Sequence, residues 1–326
     1  MKTLYALLFI SVSQIAVAQF YKKSEPFTHT YSIVALDSVT GEMGVAVQSH
    51  WFSVGTTVTY GKAGVGVIAT QSLVNPSYGP KGLALMEQGL SPEQALKALV
   101  ANDDGEMYRQ VAFLNSNGDV AAHTGSSCIS EAGHYVGKHF SVQANMMLNN
   151  TVWNAMAKAF ETTSGHLSER LMAALLAAEA EKGDIRGKQS AAILIVKGEA
   201  TGNSWQDIVM DLRVEDSTDP LTELNRLIKM HKAYEYMNNG DLAMEEGDSK
   251  KAEEMYLSAQ NLFPNNIEMQ YWYAINLLNN KDLEKAYSIL SKVFKMDPNW
   301  RELTSRLVKS NLLIIDEDQL KTVLKL

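Results

Sequence analysis

The stretch Thr30-Tyr-Ser-Ile-Val-Ala-Leu-Asp37, joined by Ser38-Val-Thr-Gly41 to Glu42-Met-Gly-Val-Ala-Val-Gln-Ser49, constrains the fold more than any other part of the chain. Two apolar, β-branched runs meet at a Thr-Gly turn, the signature of a buried hairpin. Thr30 opens the first strand. A threonine there is either an ordinary β-former or a nucleophile that awaits the release of its own α-amine.

The strand texture continues to about Asp219. Residues 56–60 and 67–72 read as strands on either side of a glycine-bearing turn at 61–66. Asn75-Pro-Ser-Tyr-Gly-Pro80 reads as a turn cluster, with a helix beginning near Leu83. Ser91-Pro-Glu-Gln94 supplies an N-cap, a proline at the first helical position and an acid in the first turn. Residues 108–115 and 119–124 form a hairpin across Asn117-Gly118, and 133–143 holds one further short strand. Helices are expected over 149–160 and 164–182, then strands at Ser190–Val196 and Ile208–Val214. Blocks of helices between antiparallel hairpins imply an α+β domain with helices outside two packed sheets, a four-layer αββα sandwich.

Beyond Asp219-Pro220 the strand signals stop and a repeat takes over. Gly247-Asp-Ser-Lys-Lys-Ala252 is echoed by Asn280-Lys-Asp282 with Lys285-Ala286. Leu262-Phe-Pro-Asn265 is echoed by Lys295-Met-Asp-Pro-Asn299, and Pro264 and Pro298 lie 34 residues apart. The pattern resembles the tetratricopeptide (TPR) repeat, whose period is about 34 residues. The alternative is a generic pair of helical hairpins. Two repeats are legible, with flanking helices at 221–238 and 302–314 as caps.

The first residues read as an address. Lys2, the apolar runs 4–10 and 12–18, and Ala16-Val-Ala18 before Gln19 match a secretory signal with a small-x-small cleavage site. Ser11, Ser13 and Gln14 interrupt the run, which argues against stable membrane insertion. The expected organisation is a signal peptide at 1–18, a leader at 19–29, the sandwich domain at 30–219 and an all-α TPR-like domain at 220–326. The expected location is outside the cytoplasm, periplasmic or secreted. A net charge of −8 speaks against nucleic acid as a partner. Cys128, the one cysteine, excludes an intramolecular disulfide, and no base near it in sequence favours its thiolate.

No phosphate loop, H-E-x-x-H helix or G-x-S-x-G elbow occurs, and no cofactor or metal is called for. The histidines His50, His123, His134, His139 and His166 are scattered. His123, at the end of a strand in His123-Thr-Gly125, is the best functional candidate among them.

Several segments together resemble a bacterial and archaeal domain family grouped with the N-terminal-nucleophile (Ntn) hydrolases. They are Thr30-Tyr-Ser-Ile-Val-Ala, Gly44-Val-Ala-Val, Ser49-x-x-Phe-x-Val-Gly55, Ala63-Gly-Val-Gly, Ala69-Thr-Gln, Asn75-Pro-Ser-Tyr-Gly-Pro, Ala121-Ala-His-Thr-Gly-x-x-Cys128 and Gln189-Ser-Ala-Ala. The resemblance implies the αββα sandwich and an amidohydrolase or peptidase whose first residue attacks the carbonyl while its α-amine takes the proton. Thr30 occupies that position and Lys62 is the counterpart of a supporting lysine. The candidate pocket adds Ser49, His50, Asn75, Tyr78, His123, Thr124 and Gln143, with a small molecule or peptide as ligand. Signal cleavage at Ala18 leaves residues 19–29 ahead of Thr30, so its amine exists only after a second cut. The alternative is a non-catalytic protein that keeps the fold and binds a ligand, its TPR-like module recruiting a protein partner.

Overall fold

The computed structural model describes residues 27–28 and 30–326. The signal peptide expected at 1–18 lies outside the described residues, as does the leader at 19–29 apart from the backbone of Phe27 and Thr28. The chain divides into two compact units after Leu224.

The first unit begins with β1 (Phe27–Thr28), β2 (Thr30–Leu36), β3 (Met43–Ser49), a helical turn α1 (Gly55–Val58), β4 (Thr59–Lys62) and β5 (Gly66–Leu73). Helices α2 (Tyr78–Glu87) and α3 (Pro92–Val100) follow, then β6 (Arg109–Asn115), β7 (Val120–Thr124), β8 (Gly133–Gly137) and β9 (Phe140–Ala144). Helices α4 (Val152–Thr162) and α5 (Leu167–Ala180) precede β10 (Ser190–Val196) and β11 (Ile208–Val214).

One sheet has the order β11-β10-β3-β2-β9-β8. The other has the order β1-β5-β6-β7, with β4 also paired to β5. All these pairings are antiparallel. Helices α4 and α5 cover the first sheet, α2 and α3 cover the second, and the bare faces meet through β2 against β5 and β6 against β9. The result is the four-layer αββα sandwich that the order of elements implied.

Local chemistry explains the elements. The opening hairpin turns where Asp37 Oδ1 accepts from the Val39 and Thr40 N–H groups and Gly41 takes φ 77°. Helix α3 starts with a complete capping box between Ser91 and Gln94. Three expectations are corrected. Residues 56–58, read as strand from their β-branching, form α1. Val54 N–H donates to Ser190 Oγ at 3.1 Å across the fold and Thr59 Oγ1 to Gly55 O at 2.7 Å within the turn, and together they override propensity. Tyr78-Gly-Pro80, read as turn, is the first turn of α2, where the missing N–H of Pro80 leaves no intrahelical bond unmade. The single strand expected at 133–143 is a hairpin, β8 with β9.

The second unit is helical. Helix α6 (Pro220–Glu245) carries the chain into it, followed by α7 (Ser249–Leu262), α8 (Ile267–Asn279), α9 (Leu283–Met296), α10 (Asn299–Lys309) and α11 (Glu317–Val323). The sequence placed the boundary at 219/220, whereas the first stretch of α6, with buried Leu221 and Leu224, belongs to the first unit. The recurring aspartates are N-caps: Asp248 accepts from Lys251 N–H at 3.0 Å and Asp282 from Lys285 N–H at 3.5 Å. The recurring Ala252 and Ala286 are buried in the core with Tyr271, Leu278, Leu290 and Phe294. The helix expected over 302–314 ends at Lys309, and Asn279 instead holds the chain beyond it through Leu312 O at 3.1 Å and Ile314 N–H at 2.9 Å.

Candidate functional site

Strand alternation decides what fills the space between the sheets. On β2, Tyr31 points outward and its phenol donates to Glu179 Oε2 of α5 at 3.0 Å. Thr30, Ser32 and Val34 therefore face the other sheet. Register carries the same face onward: Thr30 lies opposite Ser49, Ser49 opposite Ser190, Ser32 opposite Gln143, Gln71 opposite Gln110, and Gln110 opposite Thr124. At one end of the sandwich the inner rows are apolar, with Val34, Val45, Val67, Ala112, Leu114 and Leu194 in one cluster. At the other end every one of these rows finishes in a hydroxyl or an amide.

These groups are wired together. Gln71 Nε2 donates to Gln110 Oε1 at 2.7 Å and to the Thr30 carbonyl at 3.1 Å, while its Oε1 accepts from Ser32 Oγ at 2.6 Å. Gln143 Nε2 donates to Ser32 Oγ at 2.6 Å, and Ser141 Oγ donates to Gln143 Oε1 at 3.1 Å. Gln110 Nε2 donates to Ala144 O and to Thr124 Oγ1, each at 2.9 Å. Asn145 donates from Nδ2 to Gln110 Oε1 at 2.9 Å and from its backbone to Thr30 O at 3.1 Å. Thr124 Oγ1 lies 2.8 Å from His134 Nδ1. Thr30, Ser32, Gln71, Gln110, Gln143 and Asn145 are all fully buried. In a low dielectric such groups need partners, and here they supply them to one another across both sheets.

The network is electrically neutral. Its one titratable member, His134, has its pKa lowered by partial burial and then by the nearby His123, both of which favour the uncharged imidazole. Beside the network, Ser190 Oγ donates to Trp51 O and accepts from Val54 N–H, completing a row of Thr30, Ser49 and Ser190 across three strands.

The structure gathers four of the residues singled out in the sequence: Thr30, Ser49, Thr124 and Gln143. It separates the others. Lys62 pairs with Gly66 at the far end of β5 from Gln71, roughly 17 Å away at the rise of a strand. There it is half exposed and bonded to Glu87 at 2.5 Å, so it lends Thr30 no support. His123 points to the outer face and bonds Glu106, at 3.0 Å to its carbonyl and 3.2 Å to its carboxylate. His50 is exposed, its N–H on Asp184 Oδ2 at 3.2 Å. The residues that sequence reasoning missed are Ser32, Gln71, Gln110, Ser141, Asn145, Ser190 and His134. Their signal was a shared one, a polar residue at the inward position near the same end of each strand.

Asn75 and Tyr78 belong to a second cluster outside β5 and β6. Arg109, 2% exposed, bonds Asp103 from Nε at 2.8 Å and Nη2 at 3.1 Å, and the Leu73 carbonyl from Nη1 at 2.6 Å. Asn75 Nδ2 donates to Asp103 Oδ2 at 3.4 Å. Burial by itself raises the Asp103 pKa, but the Arg109 and Gly105 hydrogen bonds outweigh it and hold the carboxyl down at about 2. Burial, then the Asp103 carboxylate, pushes the Tyr78 phenol well up. Cys128 is half-buried with Sγ donating to Arg109 O at 3.4 Å, and burial raises its thiol pKa, which removes it as a nucleophile near neutral pH. Among the described residues no His, Cys, Asp and Glu group is placed to hold a metal, and no helix is long and apolar enough to cross a membrane. The second unit has a 330 Å³ cleft lined by Asp241, Glu245, Tyr256, Trp272, Asn276 and Asn279 among others.

Residues 30–224 match the family described as "Family of unknown function (DUF1028)". The chain belongs to DUF1028. Its DUF1028 domain carries the whole inter-sheet network, and a tetratricopeptide repeat matches residues 243–307 in the helical unit. The crystal structure of protein SPO2555 from Silicibacter pomeroyi, described with the same family name, is 30% identical with a TM-score of 0.56, over 62% of this chain and 88% of that one. Anbu (ancestral beta-subunit) from Yersinia bercovieri is 9% identical with a TM-score of 0.33, over 60% of this chain and 92% of that one. No curated protein matches the chain.

Proposed function

We propose that the DUF1028 unit hydrolyses an amide or peptide bond, with Thr30 as nucleophile once the His29–Thr30 bond is cut. The setting of Thr30 carries this reading. It is a fully buried threonine that opens a central strand, faces the polar end of the inter-sheet space, and has its carbonyl held by Gln71 Nε2 and Asn145 N–H. A freed α-amine, with an ordinary pKa of about 7.7–8.0, accepts the hydroxyl proton near neutral pH. Thr30 Oγ1 then bonds to the acyl carbon, the C–N bond breaks, and the departing amine carries that proton away. Water, deprotonated by the same α-amine, cleaves the ester, releases the acid and restores the threonine. Export to the periplasm or medium belongs to the same reading, as does recruitment of a protein partner by the TPR-like repeats.

A second reading is supported by the neutrality of the network and the distance of Lys62 from it. A site built of amides and hydroxyls suits binding of a small polar ligand or peptide without turnover. The experiment that separates the two combines N-terminal sequencing of the protein from its native compartment with turnover of a mixed peptide pool. A chain beginning at Thr30 that cleaves the pool, with cleavage lost in Thr30→Ala, is the expected result. A chain that always retains residue 29 and cleaves nothing rules out the first reading and leaves the second.

A further inference from the structure

The edge of β5 carries two short partners. Strand β4 lies opposite residues 66–69, and β1 lies opposite Ser72 and Leu73. Thr28 thus sits on one sheet while Thr30 opens a strand of the other, with one residue between them. The bond assigned for cutting therefore has its acyl side, Phe27 and Thr28, laid out antiparallel to the last two residues of β5.

That end of β5 is a built surface. Ser72 is 2% exposed and holds φ 74°, a left-handed conformation that residues other than glycine seldom adopt. It is pinned on its other side by pairing with Arg109, whose guanidinium bonds the Leu73 carbonyl at 2.6 Å and the Asp103 carboxylate. Contacts on the side away from β1 thus hold the backbone of this edge.

An incoming carbonyl must reach the Thr30 hydroxyl at the place first taken by the carbonyl of residue 29, because the attacking oxygen is the same. We propose that the Ser72–Leu73 end of β5 is the acyl-side seat of the site, taking an extended peptide that adds as an antiparallel strand through main-chain hydrogen bonds. This rests on the nucleophile reading of Thr30 and narrows its substrate class to extended peptides, the leader being the first occupant. Small amides without a chain on the acyl side forgo the seat.

The test is made in the full chain carrying Thr30→Ala, so that no cleavage intervenes. Adding Thr28→Pro removes a main-chain donor and should open the seat. Deuterium uptake in fragments spanning residues 70–74 is expected to speed up at least threefold. Synthetic peptide matching residues 19–29 should restore protection, and the same peptide N-methylated at Phe27 and Thr28 should not. Unchanged uptake in Thr28→Pro, restoration by both peptides, or restoration by neither overturns the proposal. No turnover is read, so a failed nucleophile and a failed seat give different results.

Discussion

Gln71 and Gln110 are joined side chain to side chain, Nε2 to Oε1 at 2.7 Å, across neighbouring strands of one sheet, and each then reaches the other sheet, Gln71 to the Thr30 carbonyl and Gln110 to that of Ala144. The two amides tie the sheets together where apolar packing gives out. Gln110→Leu keeps the volume but takes one bonding partner each from Asn145 Nδ2, Gln71 Nε2, Thr124 Oγ1 and the Ala144 carbonyl. It should lower stability by about 3 kcal/mol in urea unfolding, since each buried group left unpaired costs about 1–3 kcal/mol. Gln110→Glu should be worse at pH 7, because a carboxylate would face the Ala144 carbonyl. Its folded pKa would exceed the unfolded value of about 4.3, so stability should return as the pH falls from 7 toward 4.

Asp103 gives a pH signature at the acid end. Its folded pKa of about 2 lies below the ordinary 3.8. A depressed carboxyl contributes stability that is whole above the unfolded pKa and is lost as pH falls through the folded one. The difference in urea midpoint between wild type and Asp103→Asn should be constant above about pH 5, shrink as the pH falls, and vanish by about pH 1. A difference that persists undiminished at about pH 1 would assign the effect to packing.

Helix α2 sits so close to its sheet that Gly82 has no room for a side chain: an added Cβ would lie 2.5 Å from the Phe113 ring and 2.6 Å from Ile68 Cδ1. Gly82→Ala gains helix propensity of about 1 kcal/mol. The overlap costs about 1–3 kcal/mol. The variant is expected to melt below wild type by calorimetry, the reverse of a solvent-facing glycine.

In the second unit, Asn279→Ala should free the segment at 312–314, which the side chain holds from both its amide oxygen and its nitrogen. Exchange at the Ile314 amide should rise by an order of magnitude while the core amides of α8 and α9 keep their protection.

The opening hairpin and the repeat were legible because their signals are local. A Thr-Gly turn and two apolar runs suffice for one; a 34-residue recurrence of capping aspartates and contact alanines suffices for the other. The amide network was not legible, because Gln71 touches the carbonyl of a residue 72 positions away and nothing short of strand register connects them. Each polar residue alone reads as an unremarkable strand end. Lys62 was misplaced for the same reason, since its adjacency to a glycine turn said nothing about which end of β5 faces Thr30. His134 lacked any partner within a helical turn in sequence, and its bond to Thr124 crosses from one sheet to the other.

The division of the inter-sheet space bears on how this fold can change over generations. A valine at the apolar end can drift to isoleucine or leucine, with its neighbours yielding a little. A glutamine at the other end cannot drift alone, because its loss strands partners on several strands at once. The polar end is therefore expected to change only as a set, a different chemistry there calling for several of Gln71, Gln110, Gln143, Asn145 and Ser32 to be replaced together.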